Sequence, residues 1–429
     1  MLAAADSIDD DLPIENSESD PVPDPVDSLS EKVMEQALEG KLEIQITDAV
    51  SEKETIKFKI QVKSDLQSYT ESRGREFKVE RTHHEFSWLH SSLSENQMYA
   101  GYLIPPKPQK PDFSSPSKQL HDISEKEEKL PKEDIAFLKT DLEDKYLAQF
   151  KKAVSTHEIF LNRICQHKIL RNDHDLRIFL TFDGELNVRS KNTKERLTGW
   201  LRKGEMAIQA AFNDRVKDPD PFFEKNRVFI NEYELRIDNG KRKSKEVTKE
   251  YGLISKELMA IMVEVKRMAA SEAKNPEARK IALERCLNIV CRDLPKIQKW
   301  EGRMGSDTEL KLVDLMRYYV AETESVKELL IRRQQSLDDL DRKNRDLEAA
   351  KIKNKNVQHF EARKTAAVEH KDKLASAGKE ELVRFEKNRE EAFVKNLEEH
   401  AALQLKHSRQ KVNVLENMIK ALEAAEGEL

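Results

Sequence analysis

The sequence LERCLNIVCRDLPKI, residues 283–297, carries the two features that decide the fold of the second half of the chain. Its apolar residues alternate steps of four and three, as in a coiled coil, at Leu283, Leu287, Val290, Leu294 and Ile297. It also contains Pro295, the last proline, so the 134 residues that follow hold no proline and only four glycines. This composition predicts long helices over the C-terminal part of the chain.

The same heptad-like pattern extends in both directions from this stretch. It begins at Pro221 and continues at Val313, Met316, Val320, Leu337, Leu340, Leu347, Leu382, Phe385 and Phe393. Breaks near Asn275-Pro276 and around Gly378 predict a division into three long helices. A helix of about 50 residues would be roughly 75 Å long.

Composition limits what the chain can be. Charged residues make up 36% of it and hydrophobic residues 38%, which is too polar for one large globular core and disfavours a parallel-sheet enzyme. The longest apolar run, residues 258–263, is far too short to span a membrane, and the acidic N-terminus has no signal-peptide features, so we expect a soluble cytosolic protein. Cys165, Cys286 and Cys291 form no CxxC pair, so we expect buried thiols and neither a disulfide framework nor a zinc site.

The net charge of −5 conceals an asymmetry. Residues 1–31 contain ten acidic residues and no Lys or Arg, so the rest of the chain has a net charge of +5. We expect residues 1–40 to form a disordered acidic arm. The mildly basic remainder suits an anionic surface better than an acidic substrate.

Three runs after the arm alternate with period two and predict half-buried strands. Their apolar residues are Leu42, Ile44 and Ile46, then Ile56, Phe58, Ile60 and Val62, then Phe77 and Val79. An antiparallel meander is the simplest arrangement. Two further features follow the strands: helical spacing over 84–93, and a proline-rich loop from Ile104 to Pro111. With helical patterns over 134–165 and up to Phe182, they complete a small α+β domain, residues 41–183.

An amphipathic helix with basic flanks is predicted over 189–213, directly before the long helices. Its apolar residues are Leu197, Trp200, Leu201, Ile208 and Phe212. This helix could pack on the following bundle or insert into a membrane surface, and its position favours insertion.

The residues so far resemble a known family. A three-stranded sheet, a helix, a PPK-type proline loop and further helices resemble a PX domain, and the long helices after it resemble a BAR domain. The motifs PPKPQKPDF (105–113), YLAQFKKAVSTHEIFL (146–161), KNTKE (191–195) and EGRMGSDTELKLVDLMRYY (301–319) are similar to the branch of PX-BAR sorting nexins that contains sorting nexins 5 and 6. The resemblance implies an α+β PX domain over 41–183 with a helical insertion near 114–150. It also implies an all-α BAR domain of three antiparallel helices over 214–429 that dimerises into a crescent.

The resemblance also identifies an altered phosphoinositide pocket. PX domains that bind phosphatidylinositol 3-phosphate place an Arg and then an aromatic residue ahead of the Phe of the next helix. Counting back from Phe86 puts Thr82 at the arginine position and His83 at the ring position, while Arg81 lies one residue away and should point to the other strand face. Lys107 of the proline loop belongs to the same pocket, and a second expected Arg is replaced by Ala153 and Val154. We therefore predict weak or absent recognition of this lipid.

In this branch the inserted helix forms a groove beside the sheet, where transmembrane cargo tails add strands to the sheet edge. The matching groove residues here are Tyr146, Leu147, Phe150, Val154 and Glu158, with residues 56–63 as the predicted edge strand. Spacing alone favours ordinary core contacts for Tyr146, Leu147 and Phe150, and the family resemblance reverses that preference.

A BAR dimer binds anionic membranes through basic residues on its concave face and tips. The predicted membrane-facing residues are Arg342, Lys343, Arg345, Lys351, Lys353, Lys355, Arg363 and Lys364, within a tract over 342–373 that has net charge +5, and a second cluster of Lys241, Arg242 and Lys243. A solvated helix face is the alternative for any such run. No nucleic-acid-reading module accompanies these lysines, so we expect no nucleic-acid partner.

The resemblance implies that the protein forms a heterodimer with a sorting nexin 1 or 2 type partner. It also implies binding to transmembrane cargo tails, to an anionic or phosphoinositide-containing membrane, and to retromer and dynein-dynactin. It places the protein on the cytosolic face of early endosomes and their tubules. The sequence has no GxSxG, HExxH, P-loop or GxGxxG motif, so we expect no enzymatic activity and no cofactor. A coiled-coil tether or motor adaptor without curvature activity is the alternative, and it would form a longer rod.

Overall fold

The computed structural model describes residues 40–52, 55–111, 132–186, 217–274 and 278–426. Its N-terminal part contains β1 (Leu42–Glu52), β2 (Thr55–Ser64), α1 (Gln67–Arg73), β3 (Glu76–Thr82), α2 (His83–Glu95), α3 (Lys132–Gln166) and α4 (His174–Thr181), with short 3₁₀ turns at Gln97–Tyr99 and Leu170–Asn172. The acidic arm up to residue 39 and the first half of the predicted insertion lie outside the described residues.

The three strands form the predicted antiparallel meander in the order β1-β2-β3. In the central strand, Phe58, Ile60 and Val62 are fully buried, and Ile60 pairs with Ile46 on one side and Val79 on the other. Helices α2, α3 and α4 cover this apolar face. The alternation of apolar and polar residues therefore predicted both the strands and the face that packs against the helices.

The C-terminal part consists of long helices. They are α5 (Pro221–Glu272), α6 (Ala278–Thr308), a π-helical turn (Glu309–Val313), α7 (Asp314–Ile352) and α8 (Val357–Glu426). Asp220 caps α5, because its side chain accepts a hydrogen bond from the Phe222 amide at 2.9 Å and Pro221 occupies the first helical position. Helices α6 and α7 run on from one another through the π turn, so the region folds as three antiparallel rods.

One predicted helix boundary is confirmed and the other is wrong. Helix α5 ends at Glu272, close to Asn275-Pro276. The second break lies at residues 353–356, where Asn354 and Asn356 adopt φ values of 45° and 55°, and not at Gly378. Gly378 lies inside α8, where an added Cβ would meet Leu329 and Phe223 at 3.4 Å, so this glycine serves close helix packing.

The long helices share a second core. Phe223, Ile230, Tyr319, Val326, Leu329, Leu382 and Phe385 belong to it. Because the helices fold back on each other around this core, the region is a compact bundle, and a single continuous coil is excluded.

Candidate functional site

Arg81 is a buried residue of the PX-like region. Its side chain is 1% exposed and lies on the core face of β3, opposite Phe58. The guanidinium donates hydrogen bonds to the carbonyl oxygens of Phe179 at 2.7 Å, Phe182 at 2.6 Å and Gly184 at 2.9 Å. All of these acceptors belong to α4 or to the segment that follows it. Arg81 thus joins β3 to α4, and its donors are already used within the protein.

Thr82, at the position where an arginine was expected, is the N-cap of α2. Its hydroxyl accepts from the Glu85 amide at 3.4 Å, and the Glu85 carboxylate accepts from the Thr82 amide at 2.6 Å, which completes a capping box. Glu85 is buried and also accepts from the Leu186 amide at 2.8 Å. A carboxylate therefore lies behind the position that an arginine would need to hold a phosphate.

His83, at the predicted ring position, pairs with a second histidine. Its Nδ1 lies 3.0 Å from Nε2 of His157, whose ring stacks on Phe58 at a centroid distance of 4.1 Å. Burial lowers the pKa of His157 to about 3 and that of His83 to about 4, and the nearby charge of the exposed Lys107 contributes to the shift of His83. Both imidazoles are neutral at physiological pH, so Lys107 alone of the four predicted pocket residues offers a positive charge to solvent.

The five predicted groove residues lie together on α3. Tyr146 and Leu147 are 37% and 48% exposed, whereas Phe150 and Val154 are half-buried against the PX-like core. Glu158 accepts a hydrogen bond from the Ile46 amide of β1 at 2.9 Å. The helix thus presents a row that passes from exposed aromatic and aliphatic side chains to a carboxylate bound to the edge of the sheet.

The predicted edge strand is wrong. Residues 56–63 belong to β2, which is paired on both sides, because the second strand of a three-stranded meander is always central. The strand beside the groove is β1, and its Ile46 amide points away from β2 toward α3. The unpaired backbone groups that could bind an added strand therefore belong to β1.

The opposite side of α3 contacts the helical bundle, a feature that sequence reasoning missed. Lys152 binds Asp314 at 2.6 Å, Arg163 binds Glu322 at 3.4 Å and His167 binds Glu381 at 2.9 Å. Lys152 and Arg163 are eleven residues apart and therefore share one side of α3, and His167 follows directly after the end of the helix; this spacing is the sequence signal for the contact. These pairs fix α3, and with it the groove, against the bundle.

A cavity of about 270 Å³ lies beside these contacts and is lined by Ile104, Arg163, His167, Glu322, Glu381 and Phe385. Burial raises the pKa of the Glu322 carboxyl to about 7, although the charge of Arg163 acts in the opposite direction. One carboxylate oxygen of Glu322 has no hydrogen-bond partner among the described residues. The junction between the two regions therefore contains a carboxyl group that titrates near neutral pH.

The basic tract over 342–373 folds back on itself. Its first part is the end of α7 and its second part is the start of α8, so both meet at the turn formed by residues 353–356. The exposed basic residues there are Arg342, Arg345, Lys351, Lys353, Lys355, Arg363 and Lys373, with Lys343, Lys364 and Lys371 half-buried. We name the segment 342–373 the hairpin tip.

The second basic cluster is separate from the hairpin tip. Lys241 and Lys243 pair with acidic residues of their own helix, Asp238 at 2.5 Å and Glu246 at 2.9 Å, and Arg242 lies 3.6 Å from Asp238. The neighbouring Gly240 packs against Met316 of α7, 36 residues before the end of that helix. At 1.5 Å per residue the two clusters are about 50 Å apart, so they do not form one patch.

Comparison with known proteins identifies the family. A PX domain family model matches residues 69–183. The chain is 36% identical over 375 residues to sorting nexin-6 of Homo sapiens, covering 87% of this chain and 90% of that protein. It is also 36% identical over 380 residues to sorting nexin-32 of Mus musculus, covering 87% of this chain and 91% of that protein.

The chain is a sorting nexin. Its fold is similar to that of a solved SNX-BAR protein, the Mvp1 tetramer determined by cryo-EM, with a TM-score of 0.52, 15% sequence identity and coverage of 88% of this chain and 99% of that one. The predicted family and the predicted fold class, a PX domain followed by a helical BAR region, are confirmed. Membership supports a membrane-associated trafficking role in a family of non-enzymatic scaffolds.

The BAR region of this sorting nexin has exposed apolar side chains along α5, α6 and α8. They include Leu235, Leu253, Ile254, Ile261, Met268, Leu283, Val394, Leu397, Leu405, Val412, Leu415 and Ile419. Such rows on helices of one bundle indicate a surface that is buried in an assembly.

The predicted membrane-inserting helix of this sorting nexin, with Leu197, Trp200, Leu201, Ile208 and Phe212, lies outside the described residues. Within the described ranges, no helix is long and apolar enough to cross a membrane. The same ranges contain no group of His, Cys, Asp and Glu side chains arranged to hold a metal ion.

Proposed function

We propose that this sorting nexin binds transmembrane cargo tails through its PX domain and tubulates endosomal membrane as a BAR dimer, for retrieval to the trans-Golgi network or the plasma membrane. Its partner in the dimer is a sorting nexin 1 or 2 type protein, and retromer and dynein-dynactin are further partners. The single observation that carries the proposal is the geometry of α3, in which a partly exposed apolar row leads to the outer edge of β1.

The altered phosphoinositide pocket supports a cargo role for this PX domain. Arg81 is used in the core, Thr82 caps a helix and His83 is neutral, so the usual means of holding a 3-phosphate is missing from these positions. The groove, by contrast, combines exposed apolar side chains with a strand edge. This combination is what β-augmentation requires, because backbone groups supply affinity and side-chain pockets supply selectivity.

Membrane bending is proposed for the BAR region. The hairpin tip has net charge +5 over residues 342–373, and each Lys or Arg near an anionic leaflet contributes roughly 1 kcal/mol to binding. The apolar rows on α5, α6 and α8 provide the dimer surface. We expect the chain to form tubules from anionic liposomes only when it is paired with its BAR partner.

The cargo part of the proposal is tested with Phe150→Asp. A carboxylate in the half-buried centre of the groove should weaken binding of cytosolic receptor-tail peptides by at least about tenfold. The matched control is Ser155→Asp, which adds the same charge to an exposed site of α3 about 140° around the helix. Calorimetry with a panel of synthetic tail peptides measures both variants. Unchanged binding in Phe150→Asp, with peptides that bind the wild type, would contradict the groove assignment.

A further inference from the structure

Ile352 is the last residue of α7 and is 86% exposed. It lies in the sequence KIKNKN, residues 351–356, between Lys351 and Lys353 and close to Lys355. All three lysines are exposed, and the six-residue segment contains no acidic residue. A large aliphatic side chain is therefore presented to solvent beside three exposed lysines, of which Lys351 lies 3.7 Å from Glu361 of α8.

The turn that carries Ile352 has a defined conformation. Its backbone is closed by hydrogen bonds from the Asn354 amide to the Lys351 carbonyl and from the Lys355 amide to the Ala350 carbonyl, both at 3.1 Å. Asn354 and Asn356 take up left-handed φ values, which asparagine tolerates better than most residues. The exposed position of Ile352 is thus set by an ordered chain reversal.

No neighbouring helix of the described chain covers this position. The start of α5 is fixed beside Arg333 and Lys379, since Asp218 lies 3.3 Å from Arg333 and Asp220 lies 2.7 Å from Lys379. Ile352 is 19 residues beyond Arg333 along α7, so the hairpin projects roughly 28 Å past the N-terminus of α5.

The apolar rows of the proposed dimer surface also stop before the tip. Among residues 311–382, all of which the structure describes, Ile352 is the only large apolar residue in the exposed class. The nearest such residues along the chain are Leu310 and Val383. A dimer contact that continues these rows would therefore leave Ile352 exposed.

We propose that Ile352 inserts into the boundary between headgroups and acyl chains of an anionic leaflet, with Lys351, Lys353 and Lys355 at the level of the lipid phosphates. The proposal rests on the membrane-binding part of the proposed function and adds an apolar contact to it. An aliphatic side chain below a layer of lysines is the arrangement by which surface-bound segments combine apolar burial with charge attraction. The occupant is a lipid surface, because Lys353 and Lys355 are exposed, have no ion pair among the described residues, and are therefore complementary to anionic headgroups.

The test uses the full-length chain with its BAR partner and vesicles of phosphatidylcholine with phosphatidylserine. Ile352→Asn should lower the affinity about tenfold, since burial of one isoleucine side chain is lost. Ile352→Leu keeps the apolar side chain and should bind like the wild type. In Ile352→Trp, the added indole fluorescence should be quenched by brominated lipid. The thermal unfolding midpoint should stay unchanged in all three variants, because the site is exposed.

The outcomes separate this inference from the function on which it rests. If Lys353→Gln with Lys355→Gln loses binding and Ile352→Asn does not, the tip binds by charge alone, and the insertion is contradicted while the membrane function stands. If Ile352→Asn binds vesicles normally but forms no tubules, Ile352 contacts another protein in the coat, and the insertion is again contradicted. If the wild-type complex does not bind these vesicles, both proposals fail.

Discussion

The end of β3 and the hairpin tip both contain basic residues, but these residues are buried in the first region and exposed in the second. Arg81 is buried and donates to backbone carbonyls of the segment over 179–184, whereas Lys353 and Lys355 are exposed, with no ion pair among the described residues. The first region holds the PX domain together, and the second is open to an anionic partner. The location of a basic residue in the fold, and not its mere presence, decides whether it can meet a lipid.

The largest effect in this comparison is expected for Arg81→Ala. Removal of the guanidinium leaves a cavity in the core and takes the donor from the buried Phe179 carbonyl and from two partly buried carbonyls, so the free energy of unfolding should fall by about 3–5 kcal/mol. Urea unfolding of the full chain measures the change. The control is Lys78→Ala on the exposed face of the same strand, which should stay within about 0.5 kcal/mol of the wild type. An Arg81 variant with normal stability and weakened lipid binding would show that Arg81 is a lipid ligand after all.

Arg163 lies between the buried Arg81 and the exposed lysines of the tip in its exposure, since it is half-buried and paired with the buried Glu322. Because the folded-state pKa of Glu322 is raised to about 7, the folded protein holds a proton that the unfolded chain releases near pH 4.5. The contribution of Glu322 to stability is therefore fully present below about pH 4.5. The free energy of unfolding should fall by up to about 3 kcal/mol as the pH rises from there to about 7. The difference in stability between Glu322→Gln and the wild type should grow across this window. A constant difference would contradict the raised pKa.

The exposed lysines of the tip should contribute to membrane binding and not to folding. Lys353→Gln with Lys355→Gln should lower the affinity for anionic vesicles by about 30-fold, at roughly 1 kcal/mol per charge, and should leave the unfolding midpoint unchanged. The affinity of the wild type should also fall with added salt. Vesicle sedimentation at two salt concentrations measures both effects. Equal affinity of this variant and the wild type would remove the tip from the membrane contact.

The smallest effect concerns the order of the tip itself. Asn354→Val places a β-branched residue at a positive φ and should lower the free energy of unfolding by about 1 kcal/mol. Asn354→Gly is the matched change and should be nearly neutral, because glycine takes this conformation without a steric cost. If both variants have the same stability, the turn is not held in the left-handed conformation.

Much of the fold could be predicted from the sequence, because it depends on periodicity. Alternation identified the strands around Ile44, Phe58 and Val79, and steps of three and four identified the long helices. Gly378 was misjudged because a glycine that permits close packing against Phe223 looks the same in sequence as one that ends a helix. The actual break in KNKN depends on two asparagines in left-handed conformations, which composition only weakly signals.

The candidate site was predictable only in part, for a related reason. The groove residues follow from a motif and a helical spacing, and the structure keeps Tyr146, Phe150 and Glu158 on one side of α3. The prediction of the strand beside them was wrong. Alternation locates a strand in the sequence, whereas its position at the edge or the centre of the sheet depends on which strands pair with it. The pairs Arg163–Glu322 and His167–Glu381 join residues far apart in sequence, so only the tertiary structure reveals them.

One measurement tests the central claim most directly, namely that the hairpin tip and not the altered PX pocket binds anionic membrane. The full chain with its BAR partner is sedimented with vesicles of matched surface charge that contain either phosphatidylserine or phosphatidylinositol 3-phosphate, for the wild type and for Lys353→Gln with Lys355→Gln. We predict similar binding to both kinds of vesicle, and loss of both in the variant. Saturable binding that is specific to phosphatidylinositol 3-phosphate and survives in the variant would contradict the claim.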